Sequence, residues 1–295
     1  MSEVAIRAVG LTKRYGPLEA VRGVSFEVER GEVFGLLGPN GAGKTTTVEV
    51  LEGYRKRSGG EVTVLDHDPE DGDRALKQRI GIVLQSTGFY PHATVRESVE
   101  LMASFYPRPR DPLETIALVG LDGQEDKRAS RLSGGQRRRL DLALALVGDP
   151  ELIFLDEPTT GFDPAARRTA WEVIRNLKEL GKTLLLTTHY LDEAQALADR
   201  VAIIKDGRIV AEGPPADLSP GRASYRVSYT RGGRRFEHET DDPTELLHRL
   251  TGEALAAGEA LEGLSVTRPS LEEIYLELTA DSAVDESAEV EAFAS

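Results

Sequence analysis

Cysteine is absent from this chain of 295 residues, which excludes disulfides and thiolate metal sites. Aromatic residues make up only 6% of it, and the longest apolar run, LALALV at 142–147, is far too short to cross a bilayer. The first residues, MSEVAIRAVG, lack a basic region followed by an apolar run, so we expect no signal peptide. These absences predict a soluble protein that takes part in membrane processes only through a partner.

Basic residues are scarce as well, since 36 Lys and Arg face 50 Asp and Glu, which gives a net charge of −14 and a pI of about 5.0. Binding to nucleic acid needs clustered Lys and Arg, so we expect no nucleic-acid partner. The excess of acidic over basic residues is unevenly distributed, because residues 221–295 contain 16 acidic side chains, 7 arginines and no lysine. This asymmetry indicates a separate C-terminal module.

Strand-like and helix-like segments alternate over the first 213 residues, which predicts an α/β fold. Apolar runs at 31–38, 81–85, 152–156 and 183–189 are typical of buried parallel strands. Residues 200–213 surround an Asp-Gly turn and predict a hairpin. Helical patterns at 94–106, 111–121 and 134–147 predict a helical insert.

The proline- and glycine-rich stretch GPPADLSPG at 213–221 interrupts this pattern and indicates a linker. After it we expect a hairpin at 224–240, a helix at 243–260, a strand and a final helix. Residues 281–295 carry five acids and no base, which predicts disorder. The expected organisation is a domain at 1–213 with its helical part at about 90–148, a linker at 214–221, an accessory α+β domain at 222–280 and a disordered acidic tail at 281–295.

The stretch GPNGAGKTT, which we call the phosphate loop, fits the pattern G-x-x-x-x-G-K-[ST] with Gly38, Gly43, Lys44 and Thr45 at its fixed places. Its glycines let backbone N–H groups wrap a phosphate, and the following helix adds a favourable dipole. Lys44 would supply a charge to the β and γ phosphates, and Thr45 a hydroxyl to Mg²⁺. The simpler alternative is a glycine turn before a helix.

Polar residues end three other predicted strands. Asp156 and Glu157 follow LIFL, where an Asp can hold Mg²⁺ and a Glu can act as general base, although an acid pair after a strand often only caps a helix. Gln85 can reach both Mg²⁺ and the attacking water, and His189 can contact the γ-phosphate, although a lone His is often structural. Because ligands bind at the carboxyl ends of strands in open α/β sheets, we expect Lys44, Gln85, Glu157 and His189 to converge.

A second candidate for anion binding is LSGGQ at 132–136, which places Ser133, Gly134 and Gly135 at the start of a helix. With this segment included, residues 4–213 resemble an ABC-type ATPase, the nucleotide-binding subunit of an ABC transporter. Tyr15 matches the aromatic residue that stacks on adenine, LSGGQ the family signature, and GFDP the D-loop, in which Phe162 replaces the usual Leu. Asp163 is kept there, and as an Asp before Pro164 it is also an ordinary helix N-cap.

The resemblance implies specific roles. It implies Glu157, His189, Gln85 and Lys44 as catalytic residues, and Thr45, Gln85 and Asp156 as metal-binding residues. The residues implied to bind ATP are Tyr15, Gly38, Pro39, Asn40, Gly41, Ala42, Gly43, Lys44, Thr45, Thr46, Ser133, Gly134, Gly135, Gln136 and Asp163.

The same resemblance implies a P-loop ABC ATPase cassette with a RecA-like α/β core, an antiparallel β subdomain and a helical subdomain, followed by a small C-terminal α+β extension. It implies ATP and Mg²⁺ as cofactors, a second copy of the chain that completes each ATP site with its LSGGQ, and a separate membrane permease. The chain would then lie at the inner face of the cell membrane. Details such as RPSLEEIYLELT indicate the drug and antibiotic export branch related to daunorubicin resistance.

Several alternatives remain open from the sequence. A non-transport ABC ATPase that acts on nucleic acid or in translation is disfavoured, because the chain has a single cassette, no cysteine and no heptad pattern. A purely regulatory module is disfavoured because the full set of hydrolysis residues is present. The run Arg137–Arg139 predicts a solvated helix face, with Arg138 paired to Asp141 at i+3. Phe89 and Tyr90 are predicted to touch the permease, with local packing as the alternative.

Overall fold

The structure, a computed structural model, describes residues 3–84, 90, 92–218, 225–267 and 271–279. The chain divides into two compact units, Met1–Glu212 and Gly213–Ser295. Within the described ranges, no helix is both long enough and apolar enough to span a membrane.

The cassette part of the chain alternates strands and helices. Its strands are β1 Val4–Tyr15, β2 Leu18–Glu29, β3 Val33–Leu37, β4 Gly59–Val64, β5 Ile80–Val83, β6 Leu152–Asp156, β7 Thr183–Thr188, β8 Arg200–Lys205 and β9 Arg208–Gly213. Its helices are α1 Lys44–Leu51, α2 Arg74–Lys77, α3 Val95–Ala103, α4 Pro112–Leu118, α5 Gly134–Leu146, α6 Pro164–Glu179 and α7 Leu191–Leu197. The predicted strands, the hairpin and the helical insert are all confirmed.

A six-stranded sheet in the order β5-β6-β7-β3-β8-β9 forms the centre of this unit. The pairs from β5 through β8 are parallel. Parallel strands end at the same edge, so the residues that follow β3, β6 and β7 are brought together there. β8 and β9 are joined by Asp206 and Gly207, both with positive φ (49° and 75°), as a tight hairpin turn of the primed type requires.

Two hydrophobic cores cover the two faces of this sheet, because successive strand residues point to opposite sides. Along β6, Leu152 and Phe154 belong to one core, and Ile153 and Leu155 to the other. The first core joins the sheet to α1 and to an antiparallel sheet in the order β2-β1-β4. The second joins it to α3, α4, α5 and α6. This arrangement confirms the predicted cassette fold with its β and helical subdomains.

Capping side chains begin the helices on the second face. Thr94 and Glu97 form a capping box at α3, and Asp111 accepts from two backbone N–H groups at α4. At α6, Asp163 accepts from the N–H groups of Ala165 and Ala166, each at 2.9 Å, which confirms the predicted N-cap.

The second unit has its own sheet and core. Its elements are β10 Tyr225–Arg231, β11 Arg234–Thr240, α8 Pro243–Ala257, β12 Glu262–Thr267 and α9 Leu271–Thr279, with the antiparallel strand order β11-β10-β12. Val227 and Tyr229 pack against Leu246 and Leu250 of α8. The predicted hairpin, helix, strand and final helix are therefore confirmed, whereas residues 219–221 of the predicted linker and the predicted tail at 281–295 lie outside the described residues.

Two glycines with positive φ allow a matched test of packing in the antiparallel sheet. A Cβ at Gly60 (φ 86°) would lie 2.4 Å from the carbonyl oxygen of Gly10, whereas a Cβ at Gly72 (φ 67°) would have no neighbour within 4 Å. We expect Gly72→Ala to cost about 1 kcal/mol of unfolding free energy, and Gly60→Ala about 3 kcal/mol or more. Urea denaturation measures both, and equal losses would show that backbone contact at Gly60 is unimportant.

Candidate active site

The phosphate loop runs from β3 into α1, and the chain's own packing requires two of its glycines. A Cβ at Gly38 would lie 2.3 Å from the carbonyl oxygen of Ile204. Gly43 has φ 101°, and a Cβ there would lie 2.5 Å from the carbonyl oxygen of Ala20. Only glycine fits such positions without backbone movement, so the loop is held close to β8 and to β2 of the antiparallel sheet.

Lys44 begins α1 and is buried. Its ammonium group donates to the carbonyl oxygens of Gly38 at 2.7 Å and Pro39 at 3.0 Å. Burial lowers the pKa of Lys44, and the nearby carboxylates of Glu157 and Asp156 partly offset this by favouring the charged form. A confined cation in a glycine loop at a helix N-terminus is suited to binding phosphate oxygens.

Asp156 ends β6 opposite Thr187 of β7. The hydroxyl of Thr187 donates to Oδ1 of Asp156. Burial raises the pKa of Asp156, and the hydrogen bond from Thr187 opposes that rise. Thr187 therefore helps to keep a buried carboxyl in its charged form.

Glu157 follows with a left-handed backbone, φ 45°, which is rare for a residue other than glycine. Its N–H group is held by Thr187, with the carbonyl oxygen at 3.1 Å and Oγ1 at 3.0 Å. Its carboxylate accepts from the hydroxyl of Thr160 at 3.0 Å and lies 3.3 Å from Nδ1 of His189. The carboxylate is thus oriented by two side chains, and the acid and the histidine form a close pair.

A first cleft of about 500 Å³ contains these groups together. It is lined by Ala20, Asn40, Gly41, Gly43, Lys44, Thr45, Thr46, Glu157, Thr160 and His189. The predicted convergence of Lys44, Glu157 and His189 is confirmed, whereas Gln85 lies outside the described residues. Tyr15 lies at the turn between β1 and β2, where it pairs with Leu18, two residues from Ala20 of the cleft.

Ser133, Gly134 and Gly135 line a second cleft, of about 530 Å³, together with Asp163. Ser133 caps α5 by accepting from the N–H group of Gln136 at 3.2 Å, which leaves its hydroxyl proton available to another acceptor. A Cβ at Gly134 would meet nothing within 4 Å, and one at Gly135 only the Cβ of Ala166 at 3.6 Å. Packing within the described part of the chain therefore does not require glycine at either position.

Arg138 contradicts the predicted solvated face. Its side chain is only 12% exposed, and its guanidinium donates to the carbonyl oxygens of Leu84, Asp156, Glu157 and Pro158. The prediction was wrong because consecutive helix residues point in directions about 100° apart, and the direction of Arg138 leads to the carbonyl groups at the ends of β5 and β6. The predicted contact with Asp141 is present at 3.9 Å.

Sequence reasoning also missed Thr160, Thr187 and Glu52. The two threonines are signalled only by their places next to predicted site residues. Glu52 lies at the end of α1, is 8% exposed, and has its pKa raised to about 8 by burial and by the negative charges of Asp156 and Glu49. At neutral pH this carboxyl is therefore protonated and adds no charge beside Asp156.

This pKa predicts a pH-dependent stability. Because the pKa of Glu52 is higher in the folded chain than its ordinary value of 4.5, its contribution to stability is fully present below pH 4.5 and is lost as the pH rises through 8. Glu52→Gln resembles the protonated acid and should be more stable than the parent by on the order of 3 kcal/mol at pH 9, but nearly equal at pH 5.

Urea denaturation at both pH values checks this expectation, with Glu179→Gln on the exposed end of α6 as the matched control. A gain for Glu52→Gln that is the same at both pH values would contradict a buried, protonated Glu52.

Known proteins are similar to this chain in sequence and in fold. The sequence pattern of the ABC transporter family matches residues 21–160. The Nod factor export ATP-binding protein I of Bradyrhizobium diazoefficiens is 38% identical over 95% of this chain and 97% of its own length. Among solved structures, cbiO1 from Clostridium perfringens, part of an ABC transporter complex, is 30% identical over 72% of this chain and 90% of its own, with a TM-score of 0.66.

The dimeric structure of MJ0796, a bacterial ABC transporter cassette, is 28% identical over 71% of this chain and 98% of its own, with a TM-score of 0.65. These relatives are transporter subunits, so the transport interpretation is confirmed over the regulatory alternative. The chain belongs to the ABC transporter family, in the branch of export ATP-binding proteins, and it is a nucleotide-binding ATPase.

Proposed function

We propose that two copies of this chain enclose two molecules of MgATP, with the phosphate loop of one copy facing Ser133–Gln136 of the other. The observation that carries this proposal is the contrast between two sets of glycines. Gly38 and Gly43 are required by the chain's own backbone, whereas among the described residues no backbone atom would collide with a Cβ at Gly134 or Gly135. Glycine in a helical turn costs up to about 1 kcal/mol relative to alanine, so an external group that approaches closely would explain it.

Each half of the site would bind part of the nucleotide. Tyr15 would stack on the adenine, the phosphate loop would wrap the β-phosphate, and the confined ammonium group of Lys44 would hold the β and γ phosphates. From the other copy, the hydroxyl proton of Ser133 and the N–H groups at the start of α5 would donate to the γ-phosphate. Asp163 of the second cleft would complete the contact between copies.

The available oxygen atoms fit Mg²⁺, which prefers hard oxygen ligands and usually keeps phosphate and water in its shell. Thr45 is exposed and lines the first cleft, and the carboxylate of Asp156, held by Thr187, lies at the same sheet edge. Gln85 would add an amide oxygen. Bound there, Mg²⁺ would neutralise charge on the phosphates.

Glu157 would act as general base. Its carboxylate lines the first cleft beside Lys44, and Thr160 and His189 fix its orientation. It would accept a proton from the water that attacks the γ-phosphate, while His189 would contact the γ-phosphate from the end of β7.

The exported compound would pass through a separate permease, and we propose a drug-like or lipophilic substrate and a location at the inner face of the cell membrane. We propose that the permease contacts the exposed apolar side chains of the helical subdomain. Tyr90 is 72% exposed and Phe105 64% exposed, and Leu101 of α3 is exposed one turn before Phe105. The alternative interpretation, in which Tyr90 packs locally, is therefore wrong. Phe89 lies outside the described residues.

Glu157→Gln tests the general base. The amide keeps the shape of the side chain but cannot accept a proton, so turnover should fall roughly 10²- to 10⁴-fold while MgATP binding is retained. Steady-state hydrolysis and equilibrium nucleotide binding measure the two effects, with Glu179→Gln as the matched control. Near-normal turnover of Glu157→Gln would remove Glu157 from this role.

Mixed dimers test whether the two halves work in trans. One copy carries Lys44→Ala and the other carries Gly135→Asp, which places a bulky negative group against the γ-phosphate. In trans, this dimer has one doubly damaged site and one intact site, so it should bind one MgATP with the affinity of the parent. The two copies carry different affinity tags, so that only mixed dimers are purified and measured.

The matched control places both substitutions in one copy and pairs it with an unaltered copy. In trans this pairing damages both sites, so tight binding should be lost. If this control keeps an intact site and the first dimer does not, the two halves belong to the same chain and the proposed arrangement fails.

A further inference from the structure

Arg138 joins α5 to the ends of two strands. Nε donates to the carbonyl oxygen of Pro158 at 3.2 Å, Nη2 to those of Asp156 at 2.8 Å and Glu157 at 3.4 Å, and Nη1 to that of Leu84. The planar guanidinium presents its donors in a fixed fork, so one side chain fixes the position of the helix relative to both β5 and β6.

These bonds reach the backbone of the proposed general base. The Glu157 peptide is held on its N–H side by Thr187 and on its carbonyl side by Arg138. Its left-handed φ of 45° is a conformation that persists only when its surroundings impose it. A small movement of Arg138 would therefore change where the carboxylate of Glu157 points.

The other end of this connection is the Ser133–Gln136 half-site. Ser133 is the N-cap of α5 and Arg138 lies five residues further along the same helix, which transmits displacement as a rigid element. Ser133 and Gln136 are tied to each other by a capping box, and Lys127 donates to Gln136 at 3.2 Å. A ligand that engages this half-site would therefore act on the whole first turn of α5.

We propose that Arg138 is a positioning residue that couples the two ATP sites of the dimer. When ATP held by the partner's phosphate loop engages Ser133–Gln136, α5 shifts, and Arg138 carries the shift to the backbone of Glu157 in the same chain. Hydrolysis at each site then depends on occupancy of the other. This inference rests on the proposed arrangement in trans.

The test is a double-mutant cycle on single-turnover hydrolysis of ATP. One arm uses dimers with two functional phosphate loops, and the other uses mixed dimers whose partner copy carries Lys44→Ala, so that no ATP engages Ser133–Gln136 of the measured copy. Arg138→Lys keeps the charge but loses the fork. It should slow each site roughly five- to twenty-fold in the first arm and at least about threefold less in the second, where Arg138 still holds the Glu157 peptide but no ligand displaces α5.

Arg139→Lys is the matched control, because Arg139 follows on the same helix and also donates to a backbone carbonyl oxygen, that of Gly120 at 2.6 Å, within the helical subdomain. It should leave the rate in both arms within about twofold of the parent. Arg138→Gln is measured beside Arg138→Lys, and thermal unfolding of each variant selects the one that folds as the parent does.

Equal slowing by the Arg138 substitution in both arms would overturn the coupling and leave Arg138 a purely local structural role. The coupling would also be overturned if Arg139→Lys slowed hydrolysis in the two arms as the Arg138 substitution does. No slowing in either arm would also overturn it. Failure of the arrangement in trans is distinguished separately, because the mixed dimer of Lys44→Ala and Gly135→Asp would then lose its intact MgATP site.

Discussion

The left-handed backbone at Glu157 is the constraint around which the active edge of the sheet is organised. A β-strand that continued with ordinary dihedral angles would point this side chain to one face of the sheet. The reversal in φ instead brings the carboxylate into the cleft that contains Lys44 and His189. Thr187 holds one side of the peptide and Arg138 the other, so β7 and α5 together maintain a conformation that the residue itself disfavours.

Burial changes the pKa values of the charged groups at this edge. Burial lowers the pKa of Lys44 and raises the pKa values of Asp156 and Glu52, so each group is pushed toward its neutral form. The negative charges of Glu157 and Asp156 oppose this change at Lys44. At Asp156 it is opposed by the hydrogen bond from Thr187 and by the positive charges of Arg138 and Lys44. At Glu52 the negative charges of Asp156 and Glu49 add to the effect of burial on the pKa, so this carboxyl keeps its proton at neutral pH.

The glycines divide into those that serve the fold and those that serve assembly. At Gly38 and Gly43 a side chain would collide with the backbone of neighbouring strands, so these residues are needed to close the loop against the sheet. At Gly134 and Gly135 the collision partner is absent from the described part of this chain. The same residue type thus reports two different requirements, and only the surroundings of each glycine tell them apart.

The sequence by itself determined the phosphate loop, the strands that follow the α/β pattern, the helical insert and the elements of the second unit. It also determined that Lys44, Glu157 and His189 meet, because parallel strands end at a common edge whatever their order. The tight turns at Asp206–Gly207 and Gly232–Gly233 were predictable from local dihedral preference alone.

Only the tertiary structure decided which side chains support those groups. Thr187 supports Asp156 and Glu157 because β7 lies beside β6 in the strand order, and strand order is not encoded in any local pattern. Likewise, three consecutive arginines on a helix point in three directions, and the sequence does not say which direction faces the sheet. Burial of Arg138 and the proton on Glu52 depend on neighbours that are distant in the chain, so they arise only when the whole unit has folded.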